Sequence, residues 1–115
     1  MDYKIVVLPQ AEADIAQAFT YISKHSPEAA ARWYQKVKSA IAELHQMPAR
    51  CPKAPETAKL GVELRQLLHG KYPAVYRIVF RMVNEREVHV LAVRHGARKP
   101  LTEEEARIFL ELPGN

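Results

Sequence analysis

The order of structural signals predicts an α+β fold in two layers: a strand, a helix hairpin, and a three-stranded antiparallel meander, followed by a short C-terminal helix. Three observations predict it. A β-branched apolar run opens the chain at Tyr3–Leu8. Two stretches with apolar residues at helical spacing follow, parted only by His25-Ser26-Pro27. Three further runs suited to strands then come with short polar turns between them.

Pro9 suits the first turn of a helix, where its missing N–H costs little. Ala11, Ile15, Ala18, Phe19 and Ile22 recur on one face, so residues 10–24 form an amphipathic helix. Ser26 is placed to cap the next helix, Pro27 fits its first position, and Glu28 complements the positive end of its dipole. Ala30, Trp33, Tyr34, Val37, Ile41 and Leu44 make its buried stripe as far as Gln46, and Pro48 stops it. So short a link makes the pair an antiparallel hairpin. Trp33 and Tyr34, at helical spacing, read as core rather than as a ligand-stacking pair.

Residues 48–60 contain Pro48, Pro52 and Pro55 without periodicity and read as a loop. Strands are expected over 62–68, 74–83 and 87–94, with turns at His69-Gly70-Lys71 and Asn84-Glu85. Thr102 with Glu105 forms a capping box for a last helix over 103–111, whose Ala106, Phe109 and Leu110 make an apolar stripe. There is no repeat, low-complexity run or linker, and 115 residues suit one domain.

Cys51 is the only cysteine, so no intrachain disulfide forms, in keeping with a reducing compartment. No apolar run approaches the roughly 20 residues that span a bilayer, and the N-terminus lacks the long apolar stretch of a secretory signal. A cytoplasmic location with no membrane partner is expected. The net charge is +4, and its excess lies in one segment: residues 64–101 hold eight Lys or Arg against two Glu. Such a segment either keeps the protein soluble or faces an anionic partner.

The middle strand of the meander is the most informative stretch. With a period of two, Tyr76, Ile78, Phe80 and Met82 face the helices, while Arg77, Val79 and Arg81 point away. Arg65 on the preceding strand joins them, and the last strand ends Val93-Arg94-His95-Gly96-Ala97-Arg98-Lys99. Guanidinium groups bind phosphate or carboxylate in bidentate fashion, and His95 is able to carry a proton. The set suits RNA cleavage, where acid, base and charge stabilisers converge. It suits docking onto an acidic protein equally. A solvated sheet face and a structural histidine are the plainer alternatives. His25, His45, His69 and His89 are scattered, without metal-ligand spacing, and there is no glycine-rich phosphate loop, so neither a metal nor a cofactor is expected.

In order, Ala13-Asp14-Ile15, Tyr21-Ile22, Ala30, Trp33-Tyr34, Leu44, Pro48, Arg65, Tyr76-Arg77-Ile78 and Val93-Arg94-His95-Gly96-Ala97-Arg98 resemble the RelE/ParE superfamily of bacterial type II toxin–antitoxin (plasmid stabilisation) systems. The resemblance covers about residues 3–99. It implies a growth-inhibiting toxin neutralised by a cognate antitoxin, with an oligomeric state set through that antitoxin. RelE-like members are ribosome-dependent mRNA endonucleases, and ParE-like members inhibit DNA gyrase. Arg77 matches the arginine that the nucleases use after the strand tyrosine. Their basic pair on the preceding strand is reduced to Arg65 followed by Gln66, and Pro100-Leu101-Thr102 stands where a tyrosine is expected. The resemblance thus places DNA gyrase ahead of ribosome and mRNA as target, and a non-enzymatic toxin ahead of a metal-independent ribonuclease. An inactive, antitoxin-binding relic is the third reading. On the nuclease reading the catalytic set would be Arg65, Arg77, His95 and Arg98. On the binding reading, target or antitoxin would meet Arg65, Arg77, Arg81, Arg94, His95 and Arg98.

Overall fold

A computed structural model describes residues 2–71, 74–96 and 102. The C-terminal helix expected over 103–111 and the candidate Arg98 lie outside the described residues.

The chain begins with strand β1 (Lys4–Val7) and turns directly into helix α1 (Pro9–Ser23), with Pro9 in its first turn. Helix α2 (Pro27–Ala42) follows, and the Ser26 hydroxyl accepts the Ala29 N–H at 3.1 Å, satisfying one of the free donors of the first turn. Beyond Ala42 the helix tightens into a 3₁₀ turn over Glu43–His45. The Pro-rich stretch read as a loop holds a 3₁₀ turn at Pro48–Arg50 and a single-turn helix α3 (Thr57–Leu60). Strands β2 (Arg65–His69), β3 (Tyr76–Met82) and β4 (Glu87–His95) complete the fold. In the turn after β2, Gly70 has a φ of 97°, and a Cβ there would collide with the Ala74 carbonyl oxygen.

The sheet order is β1-β4-β3-β2. The meander pairs are antiparallel, as expected, and β1 adds to β4 in parallel, Val7 opposite Val90. The β3–β4 ladder contains a bulge: Val79 lies opposite Ala92 and Phe80 opposite Val90, which leaves Leu91 as the extra residue. The bulge resets the alternation of β4. Val88, Val90 and Val93 all reach the helix layer, while Leu91 and Ala92 both turn to the other face.

The main core lies between the helices and the sheet and holds Ala11, Ile15, Val37, Ile41, Leu44, Ile78, Phe80 and the three β4 valines, with Trp33, Tyr34, Tyr76 and Met82 packed at its margin. The face of β3 expected to meet the helices does so. The opposite face departs from expectation. There Val79, Leu91 and Ala92 form a second buried cluster with Leu8, Ala54 and Leu64. The segment 48–64 passes from the main core, where Cys51 is buried, onto this face as a strap whose Ala54, Leu60, Val62 and Leu64 pack there, and β4 is buried throughout Val88–Arg94. Burial on both faces explains the unbroken apolar run Val90–Val93, which a half-exposed strand would not carry.

Candidate functional site

The strap is tied to the sheet by the arginines that periodicity placed on an open face. Arg77 is buried, 7% exposed, and its partner Glu56 is 1% exposed. Arg77 Nη2 donates to Glu56 Oε2 at 2.7 Å, and Nη1 donates to Glu56 Oε1 at 3.3 Å and to Gln66 Oε1 at 2.7 Å. Two parallel N–H···O bonds between planar groups make the strong bidentate pairing of guanidinium and carboxylate. Arg94 lies directly across the ladder from Arg77 and is also buried. The sequence reading of these two as exposed cations is therefore corrected: the strap covers them, because the hydrophobic cluster beside them draws segment 48–64 onto the sheet.

Arg65, expected beside Arg77, lies instead opposite Phe80 on the helix-side face, and it too is engaged. Its Nη1 donates to the carbonyls of Ala49 and Cys51, and its Nη2 lies 3.4 Å from Glu63 Oε2. It holds the start of the strap against β2, whose edge is further paired through Lys53 opposite Arg65. The Thr57 hydroxyl donates to the Leu64 carbonyl at 2.8 Å and accepts the Leu64 N–H at 3.0 Å, closing the strap's other end. Burial raises the Cys51 thiol above its ordinary pKa, against the smaller lowering by Arg50 and Arg65, so the thiol stays protonated and unreactive at neutral pH. Arg81 is half-buried on the face that carries Arg77, opposite His89, whose Nε2 lies 2.6 Å from Glu87 Oε1.

His95 does not join the arginines. Adjacent strand residues alternate, so His95 points to the helix layer, opposite Tyr76 and with ring centroids 5.2 Å apart. Tyr76 in turn meets Trp33 edge-on at 5.1 Å. Tyr76 and His95 border a groove of about 590 Å³, lined also by Asp14, Gln17, Ala18, Tyr21 and Val93. Burial, and secondarily Tyr21, raise the Tyr76 phenol above its ordinary pKa, so it remains a neutral hydrogen-bonding group. Arg77 and His95 thus lie on opposite faces of one sheet, so these two described members of the expected catalytic set do not meet.

A second, more apolar groove runs along the outside of the helix hairpin. Glu12, Ile15, Ala16, Phe19, Thr20 and Tyr34 line about 360 Å³ of it. It adjoins a smaller hollow bordered by Val7, Lys38 and Ile41 and sharing Glu12, Ile15 and Tyr34. Phe19 meets Tyr34 edge-on at 5.9 Å, and the Lys38 ammonium stands over the Tyr34 ring at 5.4 Å. The sequence reading took Ile15, Phe19 and Tyr34 as core, and Ile15 is buried in it with Tyr34 packed at its margin. Phe19 alone departs, and its 37% exposure leaves it on the wall of the groove.

The family model described as "ParE toxin of type II toxin-antitoxin system, parDE" matches residues 5–100. The chain belongs to the ParE toxin family. Among solved structures, one described as "Chromosomal ParDE TA system from P. aeruginosa" superposes with a TM-score of 0.63 at 20% identity, covering 81% of this chain and 95% of that one. At that identity the likeness establishes the shared fold. A comparison with curated proteins gives no match. Family membership settles the superfamily branch left open by the sequence motifs. The ParE match runs through the sheet and includes Arg65, Arg77, Arg81, Arg94 and His95. It also spans Glu56, the residue that sequence reasoning missed. Glu56 sits beside Pro55 in an aperiodic stretch, and its local sequence carries no sign of a partner 21 residues away.

Proposed function

We propose that this ParE-family toxin is held inactive by a cognate antitoxin and, when released, arrests growth by binding DNA gyrase rather than by cutting mRNA. The observation that carries the choice of target is the separation of Arg77 from His95. A ribonuclease of this superfamily needs a phosphate-binding arginine and proton-transfer groups around one scissile phosphate. Here the arginine grips Glu56 beneath the strap, and the imidazole lies on the other face beside Tyr76. The protein then acts as a non-enzymatic binding module in the cytoplasm, and no helix among the described residues is long and apolar enough to cross a membrane.

The hairpin groove supplies a surface for the antitoxin. Its apolar floor suits an amphipathic segment that orders on contact, and Lys38 at the rim suits an acidic residue on that segment. Arg81, half-buried, remains a cation for either partner, as does Arg98 by its sequence. Arg77 does not.

Induction of the chain without its antitoxin, with translation and DNA integrity followed separately, tests the reading. A DNA-damage response with gyrase-linked breaks and continuing translation is expected. Rapid codon-linked mRNA cleavage would reject it in favour of the nuclease, and unaffected growth would reject it in favour of an inactive relic.

A further inference from the structure

Arg77 and Arg94 are direct cross-strand neighbours, two buried guanidinium side chains. Like charges directly opposite one another on a sheet destabilise it, and their burial sharpens the cost, since the solvent that would screen them is excluded. Such a pair calls for an anion. Glu56 supplies one: its carboxylate, 1% exposed, meets Arg77 in the two-bond geometry that a free carboxylate or phosphate adopts on a guanidinium. Gln66 Oε1, 2.7 Å from Arg77 Nη1, completes the cradle and orients that guanidinium.

The structure assigns to Arg77, steadied by Gln66, the character of an oxyanion-binding site whose resident ligand is the protein's own Glu56 carboxylate. The strap carries that ligand in. Two of its backbone turns are in the left-handed region, at Met47 with φ 48° just before it and at Gly61 with φ 68° within it. The site is closed to outside anions while Glu56 fills it. Arg77, one of the six arginines in the basic segment, is therefore neutralised inside the molecule rather than offered to a partner. This assignment stands apart from the choice of cellular target.

Removing the resident carboxylate should open the site. In the full-length chain, E56A leaves the guanidinium without its ligand and leaves space the size of the lost side chain, which acetate can fill. Thermal unfolding of wild type, E56A and E56A/R77A is followed in rising sodium acetate, against sodium chloride at matched ionic strength and pH. The melting temperature of E56A should fall below that of wild type. Acetate should then raise it saturably by several degrees beyond chloride, as a ligand of the folded state does. Wild type and the double variant should respond alike to the two salts. If E56A does not fold in chloride, its refolding yield in acetate against chloride gives the same reading. An E56A response equal in the two salts, or an acetate-specific rise that survives the loss of Arg77, would overturn the assignment. So would the same rise in wild type.

Discussion

The Asp14 carboxylate on α1 accepts the Val93 N–H of β4 at 3.0 Å through Oδ2, while its Oδ1 accepts from Gln10 Nε2 at 2.9 Å. β1 has ended opposite Val90, so this stretch of β4 edge lies beyond the β1 ladder. A helix side chain thus takes the place of a neighbouring strand, fixing α1 over the sheet and shaping the floor of the groove beside Tyr76. Asp14→Ala should destabilise the protein by about 1.5–3 kcal/mol, the usual worth of a hydrogen bond to a charged group. Chemical denaturation measures the loss, and amide exchange at Val93 should accelerate more than exchange in β3.

Arg77→Ala leaves the Glu56 carboxylate buried without its guanidinium. The expected cost is about 3–5 kcal/mol, measurable by urea unfolding. This reverses what an open arginine face implies, namely that the substitution spares folding. Replacing both partners by apolar residues, as in Arg77→Met with Glu56→Leu, should recover most of that loss, because no charge is then left stranded.

How far that face was legible in the sequence turns on which signal is weighed. The arginines flanking Val79 read as polar alternation and suggested solvent. The apolar run Val90–Val93 on the neighbouring strand carried the opposite message, since a strand wetted on one face does not hold four apolar residues in a row. The helix hairpin was legible: the Ser26 cap and the Pro27 start form as their local chemistry dictates, and Ala30, Val37, Ile41 and Leu44 of the expected stripe are buried, whereas the single turn of α3 went unread. The bulge at Leu91, the parallel seat of β1 and the Glu56–Arg77 pair were not legible. Each depends on residues distant in sequence, and their local windows hold no trace of the partner.

Phe19→Asp should abolish or strongly weaken antitoxin binding while leaving the melting temperature nearly unchanged. Phe19 is 37% exposed and lines the hairpin groove without being part of the buried cluster. Lys38→Glu should weaken the same complex less, and more at low salt than at high salt. Calorimetric titration with the antitoxin's binding segment separates the two effects.

Trp33→Ala should destabilise by about 3 kcal/mol, at the lower end for an indole. The ring packs at the margin of the core rather than in its centre, although its contact with Tyr76 links helix to sheet. It is the only tryptophan, so its fluorescence reports on Tyr76 and the adjoining groove in the wild-type chain.

His69 adds a pH dependence. Burial first, and Lys36 second, hold its pKa below the ordinary value, against a smaller opposing effect of Glu43. Folding therefore favours the neutral ring. The stability this gives is fully present above the unfolded-state value and is lost as the pH falls through the lowered folded one. Denaturation midpoints between pH 7 and 5, read in wild type and His69→Gln, should show a steeper decline in the wild type.

The most direct measurement is DNA supercoiling by purified gyrase in the presence of the purified toxin, with and without its antitoxin. Inhibition that the antitoxin relieves, from a protein that leaves ribosome-bound mRNA intact, is the predicted result. Full gyrase activity at toxin concentrations that produce mRNA cleavage on programmed ribosomes would contradict it.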